Sequence, residues 1–164
     1  MIYFMDMAGF LFSAGEYGQA AGYYRSLGKV SKKHGLLDSM AYASSCEAAC
    51  HVKLGKYELA HEIAVSLKEI VDRMKNGLEK GSVYKMLAML SLRKASDRFH
   101  WYETKAYEFY CENAEYKAEA MYDFASMMFD VSMKEKAAAY VENAIMLYPD
   151  NNQQPYAEFM LKCI

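Results

Sequence analysis

A six-residue phrase occurs twice, forty residues apart: Gly15-Glu16-Tyr17-Gly18-Gln19-Ala20 and Gly55-Lys56-Tyr57-Glu58-Leu59-Ala60. Each copy stands between two stretches with helical spacing of apolar residues. Glycine permits the left-handed backbone that ends a helix. The tyrosine two residues later starts the next helix with a large apolar contact, and the alanine beyond it lets two helices approach closely. A helix-turn-helix unit that recurs at a fixed step cannot bury its apolar face alone and must stack on its neighbours. The phrase therefore predicts a helical array. With two prolines in 164 residues, both near the C-terminus, nearly the whole chain is free to be helical.

The periodicity predicts a first helix over about 2–14, with Phe4, Met7, Ala8 and Leu11 on one face, and a second over 17–33, with Ala20, Tyr24 and Leu27. The second ends in Lys32-Lys33-His34-Gly35, cations that suit the negative helix end, then a glycine. Asp38-Ser39 offers an N-cap for a third helix to about Leu54. A fourth spans 57–75 and stops at Asn76-Gly77; Ser82 is expected to cap a fifth, to about Ala95. A sixth runs from about Asp97 to Cys111, Asn113 caps a seventh to about Val131, and Ser132 caps an eighth to Tyr148. Pro155 then opens a final helix over 156–164. The organisation expected is one domain, 1–164, of about four helix pairs (1–35, 36–77, 78–112 and 113–150) plus a terminal helix over 155–164.

Laid over one another, the pairs share a register. The first carries Phe4, Met7, Ala8, Leu11, Gly15, Tyr17, Ala20, Tyr24 and Leu27. The second keeps Ala48, His51, Gly55, Tyr57, Ala60, Ala64 and Leu67, but has Ser44 and Glu47 where the others are bulky. The third keeps Tyr84, Leu87 and Ala88, then slips into Phe99, Tyr102 and Ala106; the fourth keeps Met121, Phe124, Ala125, Met128, Ser132, Ala137, Val141, Ala144 and Pro149. This pattern resembles the tetratricopeptide repeat (TPR) family. The resemblance covers nearly the whole chain and implies an all-α, right-handed superhelical solenoid. The step of about 40 residues exceeds the family's usual 34 and looks like the long-period arrays of bacterial regulators, including receptors for short signalling peptides.

Composition narrows the function classes. A formal net charge of −2 supplies no electrostatic footprint for nucleic acid. The longest apolar runs fall far short of the roughly 20 residues needed to cross a bilayer. The opening Met1-Ile2-Tyr3-Phe4-Met5-Asp6 has no basic segment and an early acid, so it does not read as a signal peptide. Cys46, Cys50, Cys111 and Cys163 lack paired spacing and read as reduced thiols, which favours a cytoplasmic chain. The first helix is apolar almost all round and uncapped, and the last one ends apolar. Three readings fit: the chain is cut from a longer array, its ends are covered by a second subunit, or the ends are native and untidily buried; sedimentation at high concentration tests for the homo-oligomer.

No catalytic constellation stands out: there is no Gly-rich phosphate loop, no H-E-x-x-H and no G-x-S-x-G. Cys46 and Cys50 lie one turn apart beside His51, and with His61 they have the residue types of a metal site; small packing residues on a helix face give the same spacing. No metal or cofactor is expected. Asp97-Arg98-Phe99-His100-Trp101-Tyr102 suits either a binding patch or the buried start of a helix.

In TPR-like arrays the first helix of each pair lines a concave groove. Carried over by register, the groove here would hold Met5 and Phe12, then Tyr42, Ser45 and Lys53, then Lys85, Met89 and Arg93, then Tyr122 and Phe129. Met and aromatics would take apolar side chains, and Lys53, Lys85 and Arg93 would orient a carboxylate. Modules of the family that clamp chaperone tails carry a Lys-Asn pair where this chain has Met5 and Gly9. The resemblance implies a non-catalytic scaffold for a protein or peptide segment. The alternatives are the ligand-sensing part of a bacterial peptide-responsive transcriptional regulator, and an assembly subunit that oligomerises through its ends.

Overall fold

The computed structural model describes residues 2–149 together with 158, 161 and 162. Among these residues the chain is all-α, with no strand. The helices are α1 (Ile2–Ser13), α2 (Tyr17–Lys33), α3 (Leu37–Lys53), α4 (Tyr57–Lys68), α5 (Gly77–Arg93), α6 (Phe99–Tyr110), α7 (Ala114–Asp130) and α8 (Lys134–Leu147), with a 3₁₀ turn at Val71–Arg73. The predicted final helix lies mostly outside the described residues. No described helix is long and apolar enough to cross a membrane.

Five of the connections are the same local object. The residue after the helix is left-handed at Gly15, Gly35, Gly55, Ala95 and Ser132, with φ of 81°, 68°, 70°, 49° and 66°. At each, the next amide reaches back five residues: Glu16 N–H to the Leu11 carbonyl, Leu36 to Ser31, Lys56 to His51, Ser96 to Ser91 and Met133 to Met128. This paired closure satisfies carbonyls that the helix end leaves open. Ala95 and Ser132 carry a Cβ into a conformation that costs roughly 1–2 kcal/mol for an L-residue. Glycine relieves that strain but gives back part of the gain by loosening the unfolded chain. Ala95→Gly is therefore expected to raise stability by roughly 0.5–1 kcal/mol in urea titration; a loss would show that the Ala95 methyl has a contact that outweighs the strain.

Three cap assignments are corrected. α3 starts at Leu37, and Asp38 does not cap it: the Asp38 carboxylate accepts from the amides of Lys75 and Asn76, at 2.9 and 3.2 Å. α5 starts five residues earlier than Ser82, at Gly77, because Asn76 accepts from the Leu78 amide; Ser82 donates to the Leu78 carbonyl inside the helix. Ser132 occupies the left-handed turn position, and Met133 precedes α8 with no side-chain cap. Asn113 caps α7 as expected, accepting from the Tyr116 amide. The fourth helix also ends earlier than the periodicity implied, at Lys68 rather than 75, with the 3₁₀ turn carrying the chain on to α5.

Sequential helices pack on one another, and α5 additionally lies beside both α3 and α7. The register alanines Ala8, Ala48, Ala88 and Ala125 are completely buried, as the close helix approach requires. Enclosed by its neighbours, α5 is buried continuously from Met86 to Leu92. One apolar core spans α3 to α8, and a smaller one joins Ala8, Ala20, Ala21 and Tyr24 to Cys50. α1 leaves Tyr3, Phe4, Met5 and Phe10 exposed.

Candidate functional site on the face shared by α3, α5 and α7

Three helices run side by side because α5 packs on both α3 and α7, and their polar stripes meet on one face. At one end of this face sits Glu79, close to Asp38. In the middle are Tyr42, Cys46, Lys85, Glu119 and Asp123. At the other end, a cavity of about 250 Å³ is lined by Lys53, Tyr57, Met89, Asp123, Ser126 and Asp130, among others.

The structure brings together only part of the set expected from sequence. Lys53, exposed, and Met89, nearly buried, both line the cavity. Met5 and Phe12 lie elsewhere, on α1: Met5 is exposed, and Phe12 packs edge-to-face on Tyr17 at 5.2 Å. Ser45 and Tyr122 are buried rather than facing an open groove. Phe129 is half-buried beneath the Lys134 ammonium. Tyr42 is half-buried and hydrogen-bonded to the Cys46 side chain.

The expected cationic clamp is the main correction. Lys85 Nζ lies 2.7 Å from Asp123 and 3.0 Å from Glu119. Burial disfavours its charge, but the two carboxylates more than offset this, and the ammonium titrates well above its ordinary range. Lys85 is therefore already neutralised and leaves little charge for a ligand. Arg93 lies over Tyr57, with Cζ 4.5 Å from the ring centroid, an arrangement that holds a guanidinium by cation–π attraction. Lys53 makes no ion pair among the described residues. Sequence reasoning missed Glu119, Asp123 and Tyr57. The signal for the first two was present as acids four residues apart on one face of α7, but which helix they faced was not.

The cysteines do not form a reactive or metal-binding centre among the described residues: no group of three His, Cys, Asp or Glu is close enough to hold a metal ion. Burial pushes the Cys46 thiol up to about 11, against the hydrogen bonds from Tyr42 and Tyr24. Burial, with Cys46 next, pushes Cys50 up to about 12. Both therefore stay protonated at neutral pH. The aromatic run at 97–102 splits: Phe99 and Tyr102 are buried, while Trp101 is half-exposed with Lys68 Nζ 5.7 Å above it.

Glu79 is the titrating group of this face. Burial, then the Asp38 charge, pushes its carboxyl from 4.5 up to about 7. The folded state thus holds this proton more tightly than the unfolded chain does. The stability linked to Glu79 is complete below about pH 4.5, declines as pH rises, and is lost above about pH 7. Glu79→Gln is expected to unfold at the same urea concentration as the wild type near pH 4.5 and to exceed it by roughly 1–2 kcal/mol at pH 8. A difference that does not depend on pH would show that Glu79 ionises freely.

No family model matches the chain, and no curated protein matches it. Its chemistry has to be read from its own side chains.

Proposed function

We propose that the chain is a non-catalytic scaffold, built as a TPR-like solenoid, that holds a protein or peptide segment along the concave face formed by α3, α5 and α7. The observation that carries this reading is the cavity where the C-terminal ends of these helices converge. It combines apolar surface from Met89 and Tyr57 with charges of both signs, Lys53 on α3 and Asp130 on α7. A chain segment offers both kinds of group, and an extended one can run from this cavity along the face towards Tyr42. The protonated state of Cys46 and Cys50 supports a binding role over a nucleophilic one.

Selection from a random peptide display library is the direct test. Enriched peptides are expected to bind the full chain and to lose at least about tenfold in affinity to Lys53→Glu or Asp130→Lys. Both positions are exposed, so the fold should persist, as checked by thermal melting. Peptides that bind wild type and both variants equally, or a failure to enrich any, would sink the proposal. The exposed apolar side chains of α1 favour a second reading, an assembly subunit that self-associates there; sedimentation equilibrium showing only monomer would remove it.

A further inference from the structure

α3 turns two opposite faces outwards. At about 100° per residue, Tyr42, Cys46 and Lys53 fall on the face beside α5, and Met40, Ser44 and Glu47 on the reverse. That reverse face is the floor of a cleft of about 480 Å³, with α2 and α4 as its walls.

The cleft exists because two side chains are missing. Aligned on Ala48, Ala88 and Ala125, the positions four and one residues earlier are Ser44 and Glu47 in α3, Tyr84 and Leu87 in α5, and Met121 and Phe124 in α7. Over α5, the gap between α4 and α6 is closed: Tyr84 meets Trp101 at 5.9 Å and Tyr102 at 6.4 Å, and Lys68 of α4 lies over both of those rings. Over α7, the gap between α6 and α8 is closed by Phe124 against Phe99, Tyr107 and Tyr140. Over α3 no aromatic among the described residues lines the corresponding space. Its apolar lining, Met40 on the floor and Leu67 and Ile70 on the α4 side, lies beneath a cationic rim.

The rim has a definite charge. Glu47 is compensated from within by Arg25 at 2.7 Å, and the buried His51 ring lies 3.6 Å from the same carboxylate. Lys29, Lys32 and Arg73 also border the cleft and make no ion pair among the described residues.

We propose that this cleft docks a peptide segment carrying a bulky apolar side chain between acidic residues. The incoming side chain takes the place that Tyr84 and Phe124 fill internally elsewhere, and the flanking carboxylates pair with Lys29, Lys32 and Arg73. The site is on the opposite side of α3 from the Lys53 cavity, and the two can succeed or fail separately.

Fluorescence anisotropy of the full chain tests it, using a labelled, end-capped peptide with one phenylalanine between two pairs of aspartates, and a control with alanine at the centre. Saturable binding is expected, weakened at least about tenfold by the alanine centre and by either Lys29→Glu or Arg73→Glu, and unchanged by Lys53→Glu. Ser44→Tyr, which restores the residue type found in α5, is expected to abolish binding without lowering the melting temperature. Should that variant fold poorly, the exposed-site variants Lys29→Glu and Arg73→Glu decide the matter. Absence of saturation up to about millimolar peptide, or binding lost in Lys53→Glu but kept in Lys29→Glu, would overturn the proposal.

Discussion

Phe124→Ala is expected to cost about 3–5 kcal/mol of stability, read as a fall in the urea midpoint with little change in slope. Phe124 is fully buried, and its ring sits at the meeting point of three helices. It meets Phe99 edge-to-face at 5.4 Å, and Tyr107 and Tyr140 at 6.2 Å each. Truncation removes the apolar burial and also the directional ring contacts, each worth about 0.5–1.5 kcal/mol beyond area. The cavity cannot collapse easily, because Tyr140 is tied to Glu103 by a 2.5 Å hydrogen bond and Phe99 starts a helix whose next turn is buried at Tyr102. A loss under about 1 kcal/mol would mean that α6 and α8 close over the gap. The register partner Glu47 gives the contrast: the same position in α3 holds no aromatic, and the gap beside it is open.

Gly81→Ala is the second large effect, and here two terms of opposite sign compete. Alanine in mid-helix gains about 1 kcal/mol over glycine from propensity alone. Against this, a Cβ at position 81 would lie 2.4 Å from Tyr110 Cε1 and 2.6 Å from Cδ1. A ring on an open surface would swing aside. Tyr110 is 2% exposed and packs against Tyr116, so α5 and α6 have to separate instead. Overpacking of this kind costs roughly 1–3 kcal/mol, and the severity of the overlap places it at the upper end. The net expectation is a loss of about 2 kcal/mol in urea titration. In a double-mutant cycle with Tyr110→Leu, the coupling should be favourable, since the smaller side chain vacates the space. Additive losses would show that Gly81 matters for some reason other than Tyr110.

The legible parts of the sequence are those governed by short-range physics. Gly15, Gly35 and Gly55 mark turns because the closing hydrogen bonds span only five residues and glycine tolerates the backbone they need. Ala95 and Ser132 adopt the same conformation without glycine, so no residue type marked them as turns. Asn113 was readable as a cap because its partner amide is three residues on. Asp38 looked equally suited, yet its carboxylate is spent on amides 37 and 38 residues away. Local cap rules cannot register that competition. The candidate site shows the same division. The resemblance, carried over by register, implied a common face for Lys53, Lys85 and Met89, but the charge Lys85 presents depends on Asp123 and Glu119, which come from another helix.

The sequence by itself determined that this chain is helical, where most of its helices break, and which alanines let them approach. Those outcomes depend on backbone preference and on contacts within a turn or two. Only the tertiary structure decided that Lys85 is neutralised, that Arg93 is laid over Tyr57, and that Ser44 and Glu47 leave a cleft beside α3. Each of these depends on which side chains meet across helices distant in sequence, and electrostatic neutralisation and steric filling are properties of that meeting rather than of either residue alone.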